Sequence, residues 1–303
     1  MSSTLREMKK AMGAPPVIRQ ILIPVDLSLH SEITALYATG LAGSFKAAMT
    51  LAHIHRPEPI SEMNIEHVGD RFDQERSNAA RKLEDLLVTI RAIYPNCRQE
   101  FWTGTVAKDI ALLAARLDAD LIVTASHNRT TLGQLFNLEQ APKISHRAPC
   151  PVLVYQHALE NPRFDIRHIL APTDLSERSQ EALNYAIGLA QHLGSKLTIL
   201  HAYRDPDSGA ENVSQQLAVS RLSSVWEDIR SRDIVCDTIF QWGQPNQLIL
   251  AAAEDFKADL IVLATHDYHW LQQLFLRSDA ESILRQAPCP VLLFHQKKCP
   301  TTS

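Results

Sequence analysis

Apolar positions along the chain follow two alternating patterns. Short unbroken runs, such as Ile21-Leu22-Ile23-Pro24-Val25, stop at a polar or acidic residue, and longer stretches between them repeat apolar residues every three or four positions. Runs apolar on both faces fit the strands of a parallel sheet covered by helices, and the three-to-four spacing fits the covering helices. Residues 19–26, 49–54, 98–102, 119–127 and 152–155 therefore predict five strands. Ile33, Leu36, Tyr37, Leu41 and Phe45 predict a helix with that stripe on the sheet, entered through hydroxyl caps at Ser28 and Ser31. Ala79, Leu83, Leu86, Leu87, Ile90 and Ile93 predict a second helix over 75–94, and 108–117 a third. Pro57 and Pro59 mark 55–72 as a loop insertion. Strands and helices in this alternation imply right-handed βαβ units.

The pattern then starts again. Ile169-Leu170-Ala171-Pro172-Thr173-Asp174-Leu175-Ser176 repeats Ile21-Leu22-Ile23-Pro24-Val25-Asp26-Leu27-Ser28 at an offset of 148 residues, and His201 falls on His53. Ala258-Asp259-Leu260-Ile261-Val262 repeats Ala119-Asp120-Leu121-Ile122-Val123 at an offset of 139, and Ala-Pro-Cys-Pro-Val occurs at 148–152 and 287–291. The second copy is thus nine residues shorter, which places the deletion opposite 55–72. A period this long signals two like domains, not a solenoid. The expected layout is an arm at 1–17, a first domain at 18–156, a linker at 157–166, a second domain at 167–296 and a tail at 297–303.

Composition narrows the function classes. A chain of 303 residues with net charge −4 and no basic cluster offers no electrostatic footprint for nucleic acid. No apolar run approaches the roughly 18 residues of a membrane span. Five cysteines without a Cys-x-x-Cys pair suit reduced thiols in a cytoplasmic protein, with Cys150 and Cys289 as small buried residues.

Each half resembles the universal stress protein family, and the whole is similar to a tandem member. The resemblance rests on Pro24-Val25-Asp26-Leu27-Ser28 and Pro172-Thr173-Asp174-Leu175-Ser176, on the two Ala-Asp-Leu-Ile-Val strands and on the two Ala-Pro-Cys-Pro-Val closings. It implies an α/β fold: two tandem doubly wound, Rossmann-like domains, each an open five-stranded parallel sheet with helices on both faces. It also implies an intramolecular pseudo-dimer in which the last strands, around Val152 and Val291, pair and cover two sheet edges. A homodimer and an unidentified protein or small-molecule partner remain open at this point.

Nucleotide-binding members of that family carry Gly-x-x-Gly, nine residues, then Gly-Ser or Gly-Thr after the fourth strand. Glycines let the backbone approach phosphates, and the Gly-Ser sits at a helix N-terminus that attracts anions. The first copy has Ala125 and Asn128, with His127 between them, then Leu138 and Glu139. The second has Ala264, His266 and Asp267, then Arg277 and Ser278. The alanines add a Cβ where a phosphate would approach. Asp267 would repel it by about 4 kcal/mol at 4 Å and an effective dielectric near 20. Glu139 competes for the same positive helix end, and Ser278-Asp279-Ala280-Glu281 reads as a capping box. Asp26 and Asp174 stand where the resemblance puts the aspartate that contacts adenine or ribose; by themselves they fit a turn from strand to helix equally well.

The expectation is therefore a non-enzymatic binding or regulatory protein of stress adaptation without a resident cofactor, ATP and AMP being disfavoured. Its alternative is a nucleotide-regulated switch using a modified second site around Asp174, His266 and Ser278. Neither a Gly-x-Ser-x-Gly elbow nor a Walker motif is present. His266 and His269 are weak metal candidates, since zinc needs three or four convergent ligands. His53 and His201 read as satisfied residues at strand ends. Trp270, Leu271, Leu274 and Phe275, with Leu132, Leu135 and Phe136 in the first copy, make both loops apolar enough for an interface or a ligand cleft.

Overall fold

The computed structural model describes residues 15–56, 68–126, 140–156, 164–203, 211–265 and 277–295. The chain divides into two compact units, one holding Ile18–Phe164 and the other Asp165–Gln296. In the first, strands β1 (Gln20–Pro24), β2 (Ala48–His55), β3 (Cys97–Thr103), β4 (Leu121–Ser126) and β5 (Val152–Gln156) lie in the order β3-β2-β1-β4-β5. The pairs given a register are all parallel. Helices α1 (Leu29–Phe45), α2 (Val68–Ile93), α3 (Val106–Arg116) and α4 (Gln140–Arg147) connect them. The second unit repeats this with β6 (His168–Thr173), α5 (Glu177–Leu193), β7 (Lys196–Tyr203), α6 (Glu211–Ser231), β8 (Cys236–Trp242), α7 (Pro245–Asp255), β9 (Leu260–Ala264), α8 (Arg277–Gln286) and β10 (Val291–Phe294). Its strands run β8-β7-β6-β9-β10, again parallel.

Ile21, Leu22 and Ile23 are fully buried, as are Ile169, Leu170 and Ala171, so the first strand of each unit is covered on both faces. Both units reverse strand order at that first strand. A doubly wound sheet opens its ligand crevice at such a point, beyond the carboxyl ends of the strands.

Three details depart from the sequence reading. In α1 the buried face is Ser31, Thr34, Ala35, Tyr37, Ala38, Leu41 and Ala42, while Ile33, Leu36 and Phe45 are only half-buried. Small residues let the helix sit close to the sheet, and a helix apolar on most sides leaves its orientation ambiguous in the pattern. Second, 68–72, assigned to a loop insertion, is the start of α2. Gly69 and Asp70 are poor helix formers, so propensity gives this turn no helical signal, and it forms as an extension of a helix nucleated further along. The shortening of the second copy accordingly falls partly on the helix, since α2 has 26 residues and α6 has 21. Third, Ile93 is 58% exposed instead of packed, because it ends the helix.

The linker assigned to 157–166 lies outside the described residues as far as 163. Phe164 packs edge-on against Tyr37 in the first unit, with ring centroids 5.5 Å apart. Ile166 is buried, its carbonyl accepting a hydrogen bond from the Ser195 hydroxyl at 2.5 Å.

Candidate functional site

The repeated aspartates of the Ala-Asp-Leu-Ile-Val strands turn out to be staples at the opposite end of the sheet from the crevice. Asp120 Oδ2 accepts the backbone N–H groups of Arg19 and Gln20 at 2.8 and 3.1 Å. Asp259 Oδ2 does the same for Arg167 and His168, both at 2.9 Å. Each fixes the entry of the first strand beside the fourth, and so sets which carboxyl ends meet at the crevice.

At those ends the chain turns sharply. Asp26 Oδ1 accepts the Ser28 backbone N–H at 3.0 Å and the Ser28 hydroxyl at 2.5 Å. Asp174 Oδ1 accepts the same two groups of Ser176 at 3.0 and 2.6 Å. These are Asx turns. The residue inside each is a leucine in the left-handed region, Leu27 at φ 62° and Leu175 at φ 64°. A side chain there costs about 1–2 kcal/mol, so the turn persists because its surroundings over-determine it. Ser28 and Ser176 then cap α1 and α5, accepting from Ser31 N and Ser179 N.

Burial alone would raise the Asp174 carboxyl. Hydrogen bonds from Ser176, the Ser179 side chain and the local backbone outweigh it, and the group is held below the usual carboxylate range. Thr173 Oγ1 meets Ser179 Oγ at 3.0 Å and accepts the Leu175 N–H at 3.1 Å, which ties the turn to the first turn of α5.

Behind each turn stands a buried histidine. His53 Nδ1 lies 2.8 Å from the carbonyl of Val25, and His201 Nδ1 lies 2.8 Å from the carbonyl of Thr173. A carbonyl only accepts, so Nδ1 carries the proton in both rings. Burial lowers both imidazoles below their ordinary value, against the opposing pull of that hydrogen bond and of Asp26 or Asp174. In the second unit His201, Tyr203, Phe240 and Trp242 form one aromatic cluster, Tyr203 meeting His201 at 4.7 Å and Trp242 at 4.8 Å. In the first, His53 meets Phe101 at 5.4 Å and His55 at 6.4 Å.

β1 and β4 are neighbours, as are β6 and β9, so the sheet brings Asp26 and Ala125 to one edge of the first unit and Asp174 and Ala264 to one edge of the second. Ala125 is buried and Ala264 half-buried. His127, Asn128, Glu139, His266, Asp267, His269 and the apolar loop residues Leu132 to Phe136 and Trp270 to Phe275 lie outside the described residues. Arg277 and Ser278 open the described part of α8 and are both helical, so Ser278 does not stand ahead of that helix. Pro142 sits in the first turn of α4, the one place a helix accepts it.

Among the described residues no cluster of three or more His, Cys, Asp or Glu could hold a metal. No described helix is long and apolar enough to cross a membrane. The described cysteines are unbridged, and burial pushes the Cys97 and Cys236 thiols up to about 11 and Cys289 to about 12.

Both halves of the chain match one known protein family. The profile of the universal stress protein family fits residues 18–156 and again 165–295. The chain belongs to the universal stress protein family. As a tandem member it carries two universal stress protein domains. A universal stress protein from Thermus aquaticus is 34% identical over 132 residues, covering 41% of this chain and 96% of that protein. Over nearly the whole length the fold resembles a universal stress protein from Archaeoglobus fulgidus, with TM-score 0.69 and 21% identity over 92% of this chain and 97% of that one. It also resembles a functionally unknown protein from Pseudomonas aeruginosa, with TM-score 0.65 and 16% identity over 93% of this chain and 94% of that one. Sequence reasoning missed the left-handed leucines and the way the two histidines are used. The repetition of His53 at His201 and of Asp120 at Asp259 was the available signal for the histidines and the staples. The leucines had none, since leucine does not advertise positive φ.

Proposed function

We propose that this tandem universal stress protein is a non-enzymatic binding and regulatory protein of stress adaptation, with clefts that do not cradle the phosphates of ATP. The observation that carries the reading is the alanine at the carboxyl end of the fourth strand in both domains, Ala125 and Ala264. Each puts a Cβ where nucleotide-binding members present a glycine to the phosphate. In each turn the aspartate Oδ1 already accepts the serine backbone N–H and hydroxyl, which occupies that oxygen locally.

A nucleotide-regulated switch centred on the second domain is the second reading. It is favoured by Asp174, which is half-buried at the crevice and held ionised by its hydrogen bonds. One experiment separates the two. The purified protein is denatured, the released small molecules are identified by mass spectrometry, and the native protein is titrated with a fluorescent ATP analogue. Absence of bound nucleotide and of micromolar affinity supports the binding protein without ATP. Stoichiometric ATP or AMP, or a micromolar affinity abolished by Asp174→Ala, overturns it.

A further inference from the structure

The duplication allows one domain to be compared with the other along their helices as well as at the crevice. In the first domain a cavity of about 370 Å³ opens between α1 and α2. Leu27, Leu36 and Leu86 give it an apolar lining, and Glu32, Lys82 and Asp85 bring charges to it. We propose that this cavity binds a small organic cation, a guanidinium carried on a short alkyl chain, and that the second domain has closed its own copy with Arg221.

Burial fixes which residues correspond. Leu83, Leu86 and Ile90 of α2 are buried, and Leu222, Val225 and Ile229 of α6 are buried at the same spacing. Lys82 therefore stands where α6 has Arg221, and Leu27 where the second domain has Leu175. The two leucines share one backbone conformation, φ 62° and φ 64°, inside the same aspartate–serine turn. Their carbonyls are thus presented alike. In the second domain the Arg221 guanidinium donates to the Leu175 carbonyl at 3.5 Å. Among the described residues Lys82 makes no such bond to Leu27. One domain holds internally the group that the other leaves to a ligand.

The remaining polar groups differ in the same sense. Opposite Glu32 and Leu36 the second domain has Gln180 and Asn184, whose side chains bond each other at 3.4 Å. Opposite Thr89, which also borders the cavity, it has Asp228, held by Arg232 Nε at 2.9 Å and Nη2 at 3.0 Å. Glu32, Lys82 and Asp85 enter no ion pair among the described residues. The cavity therefore sets two carboxylates against one ammonium, which favours a cation over an anion. A guanidinium matches carboxylate and carbonyl acceptors with its planar fork of donors, and a short alkyl chain lies on the leucines. Lys82 is exposed and keeps its own ammonium in water.

Agmatine is the probe, titrated into the full-length protein while leucine methyl spectra are recorded. The signals of Leu27, Leu36 and Leu86 should move together and saturate with a Kd on the order of 1 mM, as suits a small ligand on exposed charges. Leu175 and Leu222 should stay in place. Putrescine, with an ammonium in place of the guanidinium, should bind about tenfold more weakly. Lys82→Arg keeps the charge and the helix propensity and copies the second domain; it should fill the cavity and abolish the response. Glu32→Gln and Asp85→Asn should each weaken binding about two- to fivefold. Signals that fail to move or saturate, an equal response in the second domain, equal binding of putrescine, or undiminished agmatine binding in Lys82→Arg would each overturn the proposal. All three variants change side chains on the outer faces of helices, so their methyl spectra away from the cavity should match the wild type. Nucleotide at either crevice is measured separately, and neither result decides the other.

Discussion

Single atoms decide two substitutions. Thr124 is 1% exposed in the middle of β4, and its hydroxyl has no hydrogen-bond partner among the described residues; the second copy has Leu263 at the matching place. A buried hydroxyl left without a partner costs about 1–3 kcal/mol. Thr124→Val preserves the shape, so it should raise the urea midpoint and stabilise the first domain by about 1 kcal/mol. Gly40 works the other way. A Cβ built there overlaps the Cβ of Phe164. Alanine favours a helix interior by about 1 kcal/mol over glycine, but overpacking costs about 1–3 kcal/mol, so Gly40→Ala should destabilise. In a Phe164→Gly background, which removes that Cβ, the clash is gone and the same change should stabilise by about 1 kcal/mol. A double-mutant cycle by denaturant unfolding reads that reversal of sign.

At the scale of the element, the staples explain why a polar residue heads an otherwise apolar strand. Asp120 and Asp259 each receive two backbone N–H groups of the neighbouring first strand. Asp120→Ala or Asp259→Ala leaves those groups to water at a half-exposed edge and should cost about 1–3 kcal/mol. Asn retains an acceptor and should lose less, and equilibrium unfolding of the four variants measures the difference. The strands themselves were plain in the sequence because burial on both faces writes a continuous apolar run. Their duplication was equally plain, since two copies of Pro-x-Asp-x-Ser and Ala-Pro-Cys-Pro-Val lie in one order. What the sequence hid was of a different kind. The first residues of α2 include Gly69 and Asp70, which are poor helix formers, so propensity does not mark that turn. The buried face of α1 is built from alanine, serine and threonine, while its larger Ile33 and Leu36 are only half-buried. The sequence reading puts a crevice at the carboxyl ends of the first and fourth strands, and the strand order reverses between those two strands. Its hydrogen-bond economy was not legible, because an Asx turn, a left-handed leucine and a histidine tautomer are properties of geometry, with no fixed spacing to announce them.

For the whole molecule, the duplicated buried histidine makes acid sensitivity a shared property of both domains. His53 and His201 are lowered in the folded state, so between their unfolded value near 6.5 and the lower folded value the unfolded chain binds more protons. Stability is then full above about pH 6.5 and falls as pH drops below it, with a limiting slope of about 1.4 kcal/mol per pH unit for each ring. Asp174 adds a second and separate loss at lower pH. Its folded value is depressed, so its contribution is present above 3.8 and disappears as pH falls through the folded value. Chemical denaturation from pH 7.5 downward should therefore show two falls, one attributable to histidine and one to carboxylate. Combining His53→Asn with His201→Asn should flatten the first and leave the second in place. A first fall that persists in the double variant would assign it to other histidines of the chain.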